Sequence, residues 1–264
     1  MGVKTLNKYI QLYKEYFKLE LKTAIEYRIN FIIQVVSMFL NNVIWMVFWA
    51  IIFAKFPVIN GWSLNDIILL YAVLSAAFGF KGMFFGGESQ ISNCVVDGKL
   101  DYYLTTPKKS LLHILVSKID WFDLGDLLFG LVLAFIFLPL YKLPLFFILL
   151  IPCILIILSF GIIVGSLSFY IGNSQSLSDS LYGAIIAFSS YPASIYSGIA
   201  KFIVFFIIPA GFITTVPVIL LKSFDWIWFG LLYAFAVAIL LLAIYVFYKG
   251  LKKYESGNLI GVRL

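Results

Sequence analysis

The chain of 264 residues is 62% hydrophobic, 19% aromatic and only 12% charged, and its formal net charge is +6. This composition excludes an ordinary soluble globular domain and indicates an integral membrane protein. The excess of lysines does not indicate nucleic-acid binding, because they stand at the ends of apolar runs, where anionic lipid headgroups account for them. We therefore expect membrane lipids, and no nucleic acid, among the partners.

Residues 1–27 predict an amphipathic helix at the membrane surface. Five lysines between positions 4 and 22 leave no short apolar core of the kind that a signal peptide has. At 100° per residue these lysines share one side of the helix, and apolar residues share the other. Such a helix is either a simple anchor in the headgroup layer or an elbow that moves with the first span, and both interpretations stay open.

Six apolar runs predict membrane-spanning helices, because each is long enough to cross about 30 Å of hydrocarbon. Their expected bounds are 29–54, 64–87, 121–141, 145–171, 178–197 and 225–248. With Lys81 counted in the loop after the second span, most basic residues fall on the side of both termini, which the positive-inside rule assigns to the cytoplasm. The expected fold is therefore one all-α transmembrane domain over residues 1–264, with both termini cytoplasmic.

The apolar run 199–221 is interrupted by Pro209, Gly211 and Pro217. If it crossed the membrane as a seventh span, the basic tail would lie outside, against the charge bias. We therefore predict a re-entrant helical hairpin on the external side, whose bent backbone must be buried in protein or line a cavity. Before it, Ser63 and Asp66 predict a capping box at the start of the second span.

Polar residues inside the first span form a stripe at steps of three and four, namely Gln34, Ser37 and Asn41. In lipid such a stripe must face protein or water, so it indicates hydrogen bonding between helices or a translocation path. The break that ends the fifth span supplies the other candidates for that path, Ser190, Tyr191 and Pro192. In the fourth span Gly161, Gly165 and Ser168 form a small-residue face that predicts close packing of another helix.

Three aspartates, Asp120, Asp123 and Asp126, lead into the third span at steps of three. One interpretation is a proton or cation relay. The other is pairing with lysine or water at the membrane interface, where a charge costs less than at the helix centre, and we favour this one.

The polar interval 88–110 is the longest between two spans, and its lysines place it in the cytoplasm. Residues 88–97 predict a short helix that Gly98 stops, and Thr106 and Pro107 predict the start of the next helix. A short helix held between two spans is typical of a docking element for a soluble partner.

The sequence Gly98-Lys-Leu-Asp101-Tyr-Tyr-Leu104-Thr-Thr-Pro107 resembles the intracellular loop of ABC-2 type transporter permeases. The Tyr191-Pro192 break and the tail Lys253-Tyr254-Glu255-Ser256-Gly257-Asn258 are similar to small six-span permeases of that family. The resemblance implies the membrane subunit of an ATP-driven exporter in a bacterial inner membrane. By the same resemblance, such a subunit is expected to work as a homodimer or heterodimer with cytoplasmic ATP-binding subunits. The residues expected to couple to those subunits are Val95, Asp97, Gly98, Lys99, Leu100, Asp101, Tyr102 and Pro107.

The sequence contains no G-x-x-x-x-G-K-S/T phosphate-binding loop, so ATP and Mg²⁺ are expected in the partner subunit and this chain is not expected to be an enzyme. No cofactor or metal site is expected either, since the only two cysteines, Cys94 and Cys153, lie far apart in the predicted topology. Two alternatives stay open. One is an ion-coupled transporter or channel that uses the three aspartates, and the other is a membrane-bound assembly or immunity factor.

Overall fold

The computed structural model describes residues 3–172 and 174–255, so the end of the tail motif, Ser256 to Asn258, lies outside it. The regular secondary structure of the described residues is helical, apart from one isolated β-bridge between Ile59 and Trp62. This confirms the all-α class. The α-helices are α1 Val3–Glu26, α2 Arg28–Lys55, α3 Leu64–Phe85, α4 Ile91–Val96, α5 Leu100–Leu104, α6 Ser110–Leu115, α7 Asp123–Phe137, α8 Leu143–Gly165, α9 Ser168–Ile171, α10 Gln175–Ser189, α11 Gly198–Phe202, α12 Val216–Lys222 and α13 Trp226–Leu251.

Four helical segments of the described chain are long and apolar enough to cross a membrane: Arg28–Lys55, Leu64–Val96, Leu140–Ile171 and Trp226–Leu251. The expected spans 121–141 and 178–197 contain helices of only 15 residues each, α7 and α10. A straight span needs roughly 17 to 25 residues. The structure therefore supports four spans, and six remains a prediction.

The run 199–221 forms a bent pair of helical segments, Gly198–Ile207 and Gly211–Lys222, which meet at 75°. Each segment includes a π-helical turn, and Pro209 lies in the break between them. Proline lacks the N–H that a continuous helix would need there. If this pair crosses the membrane, it is a fifth span; if it turns back, it is the predicted re-entrant hairpin. The bend allows both topologies.

Helix α3 is the centre of the bundle, and most of its residues are buried. It packs most closely on α7, because glycines allow the two backbones to touch: a Cβ on Gly79 would overlap the backbone of Leu127, and one on Gly130 would overlap Ala76. The predicted capping box at its start is confirmed, with the Ser63 amide donating to Oδ2 of Asp66 at 2.9 Å. The other end of α3 leads directly into the polar loop.

Helix α1 lies against protein along part of its length. Tyr13 donates to the carbonyl oxygen of Met83 at 3.1 Å and stacks on the ring of Phe84, and Phe17 packs on Trp121. These partners stand at the end of α3 and just before α7. The amphipathic helix that the lysine pattern predicts is present, and part of its apolar face covers the polar-loop end of the bundle.

Candidate functional site

The polar loop divides into two parts with different surroundings. We call residues 86–96 the bundle-facing segment; it begins as a 3₁₀ helix, Gly86–Gln90, and continues as α4. We call residues 97–109 the exposed segment, which contains α5. Gly98 joins them with a φ of 73°, a backbone conformation that glycine adopts without steric cost. The predicted helix stopped by Gly98 is thus present, although its α-helical part is shorter than expected.

The prediction that Thr106 and Pro107 begin the next helix is wrong. Helix α6 begins at Ser110, and the Thr106 hydroxyl donates backwards to the carbonyl oxygen of Tyr103 at 3.0 Å. Thr106 therefore bonds a carbonyl oxygen at the end of α5 and does not cap the start of α6. Threonine side chains commonly form such local bonds to the backbone.

A buried ion cluster fixes the bundle-facing segment. The Lys81 ammonium group donates to Glu88 at 2.9 Å and lies 3.8 Å from Asp123, and the Lys81 and Glu88 side chains are 5% and 1% exposed. It also lies 5.1 Å from the centre of the Tyr182 ring, as in a cation–π contact. Counting Lys81 with the loop was therefore wrong: it lies inside α3, and it ties the loop to α7 and α10.

The small-residue face of α8 lies against this segment. A Cβ on Gly161 would overlap the Glu88 carboxylate, and one on Gly165 would press on Ile91 at 2.9 Å. Ser168 shares hydrogen bonds with Ser92 at 2.5 Å and Ser174 at 2.8 Å. The neighbour that these three residues meet is thus the loop segment after α3.

An apolar cluster continues from the loop into two long helices. Its members are buried and come from α4 to α6, α8, α9 and α13; they include Ile91, Val95, Leu100, Leu158, Ile162, Phe169 and Phe247. Side chains in such a core are close-packed, so a displacement of the loop must be accommodated by its neighbours. This cluster physically connects the loop with α8 and α13.

The exposed segment presents a mixed surface. Among the expected coupling residues, Asp97, Lys99, Tyr102 and Pro107 are exposed, whereas Val95 and Leu100 are buried beneath them. Asp97 and Lys99 pair at 2.7 Å. Burial, together with the neighbouring Asp101, raises the pKa of Tyr254 to about 12, so the end of the described chain meets the loop here.

Helix α1 also contacts the loop. The Tyr9 hydroxyl accepts from the Lys109 amide at 2.8 Å, and the Tyr16 hydroxyl lies 2.9 Å from Nε2 of His113. Burial, and secondarily Lys108, lower the pKa of His113 from its usual value, which favours the neutral ring. The histidine is thus a hydrogen-bonded contact between α1 and α6.

A cavity of about 80 Å³ lies between α2, α3, α7 and α10. Its polar lining comprises Asn41, Asn42, Tyr71, Ser75, Asp126 and Ser190. Asn42 donates to Oδ1 of Asp126 at 2.5 Å, and both residues are 6% exposed. We call this the outer cavity. It brings together Asn41 and Ser190, two residues predicted to lie on a translocation path.

The other predicted path residues lie elsewhere. Gln34 lines a separate pocket beside Lys118, Ser37 is exposed, Tyr191 packs on Trp49, and Pro192 is buried. Asp126 was not assigned to a path from the sequence, because its spacing groups it with Asp120 and Asp123. The three aspartates instead have separate partners, which are Lys118 for Asp120, Lys81 for Asp123 and Asn42 for Asp126.

A second cavity, of about 300 Å³, lies on the polar-loop side of the first. We call it the inner cavity; its lining includes Glu88, Ser89, Ser92, Gly161, Gly165, Ser178, Asp179 and Tyr182. Ile186 of α10 lines both cavities. The two cavities therefore follow one another along α10, with this isoleucine between them.

Long apolar helices, with a polar loop packed into the bundle that they form, define a polytopic membrane protein. The sequence matches the family model described as "ABC-2 family transporter protein" over residues 23–258. The chain therefore belongs to this family of transporter membrane proteins, as the loop motif indicated. No match was found among curated proteins, and none among solved structures.

Proposed function

We propose that the chain is the permease subunit of an ATP-driven exporter and forms the translocation path as a homodimer or heterodimer. Separate ATP-binding subunits, which carry ATP and Mg²⁺, dock on the exposed segment from the cytoplasm, so both termini are cytoplasmic in this arrangement. The observation that carries the proposal is the apolar cluster beneath that segment, because it joins a surface available to a soluble partner to two long helices. Force applied at Asp97 to Pro107 is then transmitted to α8 and α13.

A second copy or a related permease would cover α2. Only 11% of the apolar window of this helix is buried, and both Ser37 and Asn41 are exposed on it. Polar side chains that face lipid are unfavourable, so these two residues favour contact with a second chain. The ion-coupled alternative receives less support, because each of the three aspartates that it needs already has a partner of its own.

The first test is purification of the tagged chain from native membranes in mild detergent. An ATP-binding protein that co-purifies and hydrolyses ATP in a vanadate-sensitive manner is the expected result, and a sister permease in the same sample would establish a heterodimer. Repeated purification of the chain alone, without hydrolysis, would overturn the proposal.

The second test concerns coupling. Gly98→Ala introduces a Cβ at a φ of 73° and should distort the junction between the two loop segments. We expect the complex to retain ATP hydrolysis but to lose the ATP-dependent change in maleimide labelling of a cysteine placed at Asn41. Gly61→Ala is the matched control, because Gly61 has a φ of 81° and its Cβ would meet nothing within 4 Å. Normal ATP-dependent labelling in the Gly98 variant would contradict the coupling role.

A further inference from the structure

The outer cavity contains a buried carboxylate, Asp126, which Lys81 attracts only from beyond ion-pair distance. Asp126 is 6% exposed, and its carboxylate accepts one hydrogen bond, from Asn42, within the described chain. No Lys or Arg is among the described residues that line this cavity. A buried carboxylate is normally paired with a cation or surrounded by donors, and leaving it without either is costly.

The remaining lining of the outer cavity suits a positively charged group with an apolar body. Asn41, Ser75 and Ser190 supply amide and hydroxyl oxygens, which accept hydrogen bonds, while Trp45 and Phe78 supply aromatic faces. Oxygen acceptors and aromatic rings are the groups that proteins use to hold ammonium ions. The volume of about 80 Å³ has room for on the order of five water molecules, and therefore for one small ammonium head.

The inner cavity has the same sign of charge. Glu88 and Asp179 line it together with three serines, again with no Lys or Arg in the described lining. The buried Lys81 already holds Glu88, so Asp179 is the carboxylate of this lining that lies outside the ion cluster. A cation that moves from the polar-loop side toward the outer cavity thus meets carboxylates in both cavities, whereas an anion meets the same groups as a barrier.

We propose that the outer cavity binds the ammonium group of an amphipathic, positively charged cargo, with Asp126 as its counter-ion. This inference rests on the proposed transport function and names its class of substrate. The inner cavity, with Asp179, is the first binding position on the path, and Ile186 lies between the two positions. The apolar tail of the cargo lies toward Trp45, which is partly exposed at the edge of α2.

Direct binding to the purified chain in nanodiscs of zwitterionic phosphatidylcholine tests the proposal. The probes are octylammonium and octanoate, which have apolar tails of similar length and opposite charge, and nanodiscs without protein correct for partitioning into lipid. We expect saturable binding of octylammonium and none of octanoate. Asp126→Asn should weaken octylammonium binding at least tenfold, and Asp126→Glu, which restores the charge, should recover most of it.

Asp120→Asn is the matched control, because Asp120 pairs with Lys118 outside both cavities; it should leave the affinity unchanged. The unfolding midpoint of each variant, measured alongside, identifies any variant that does not fold. Equal binding of the two probes, or an Asp126→Asn variant that folds and keeps the affinity within twofold, would overturn the proposal. Binding needs no ATPase, so the two proposals can fail separately. Selective octylammonium binding by a chain that has no ATP-hydrolysing partner would support this site and refute the proposed function. An ATP-hydrolysing partner together with no selective binding would support the proposed function and refute this site.

Discussion

Each of the two segments of the polar loop takes part in an ion pair, and the two pairs have opposite surroundings. Glu88 of the bundle-facing segment lies 2.9 Å from Lys81 of α3, and both side chains are almost completely buried. Lys99 and Asp97 of the exposed segment are 2.7 Å apart, with side chains 68% and 46% exposed. The two ion-pair distances are nearly equal, but the free energies needed to separate the pairs must differ. Buried charges must stay paired, while exposed charges exchange their partner for water at little cost. The first pair therefore fixes the loop in the bundle, and the second is available to a partner.

The largest expected effect comes from breaking the buried pair. Lys81→Met leaves Glu88 and Asp123 without their cation and should reduce the free energy of unfolding by about 3 to 5 kcal/mol. A thiol-reactive dye can measure the midpoint of thermal unfolding, because the free cysteines Cys94 and Cys153 are buried and react only when the chain opens. The double variant Lys81→Met/Glu88→Leu should recover part of the loss. An unchanged midpoint in the single variant would show that the cluster does not fix the loop.

Two glycine substitutions sharpen the comparison, because they should act in opposite directions. Gly161→Ala places a Cβ against the Glu88 carboxylate and should cost about 1 to 3 kcal/mol through overpacking. Gly183→Ala, in α10, meets nothing within 4 Å and should stabilise the helix by up to about 1 kcal/mol. The same thermal assay reads both. Equal shifts of the two midpoints would mean that the loop does not press on Gly161.

The elements of this fold follow the sequence closely where the signal is local. The lysine pattern predicted α1, the Ser63 and Asp66 pair predicted the start of α3, and Gly98 predicted the end of α4. The prediction that Thr106 caps the next helix was wrong, because its hydroxyl can bond either forward to that helix or backward to Tyr103, and the sequence alone does not rank the two bonds. The expected spans 121–141 and 178–197 extend past the ends of α7 and α10, which Pro139 and Pro192 follow closely.

The site depends on contacts between distant parts of the chain, and these were mostly missed. Lys81 and Glu88 are seven residues apart, a spacing that places both near one side of a helix, but the burial of the pair requires α8 and its glycines. Asn41 and Ser190 were chosen as path residues because they are polar in apolar runs, and they do line one cavity. The spacing of the three aspartates does not show that Asp126 has a different role. Its distinct surroundings come from the contact with Asn42, which is distant in the sequence.

A smaller effect is expected of pH on the packing of α1 against the loop. His113 faces Tyr16 from α1 and Tyr102 and Tyr103 from α5, and burial, with Lys108, lowers its pKa below the usual 6.5. Above that value the ring is neutral in both the docked and the released state. As the pH falls below it, the released histidine binds a proton that the docked one resists, so the docking of α1 weakens down to the lowered pKa.

Hydrogen exchange of the α1 amides, compared between about pH 7.5 and about pH 5, measures this effect across the range in which histidine titrates. Exchange corrected for the intrinsic pH dependence should increase at the lower pH. His113→Gln cannot titrate and should show equal protection at both values. If the wild-type protein also showed equal protection, the contact between Tyr16 and His113 would not hold α1 in place.

The smallest effect on stability is expected at the exposed pair. Lys99→Ala should leave the unfolding midpoint unchanged, because both partners are already solvated. Its effect should appear in binding instead: a charge at the rim of an interface mainly changes the association rate and its dependence on salt. Association of the co-purified ATP-binding subunit, measured at low and high salt, should therefore lose part of its salt dependence in this variant. If Lys99→Ala instead destabilised the chain and left association unchanged, the exposed segment would be a structural part of the bundle, and the docking surface would have to lie elsewhere.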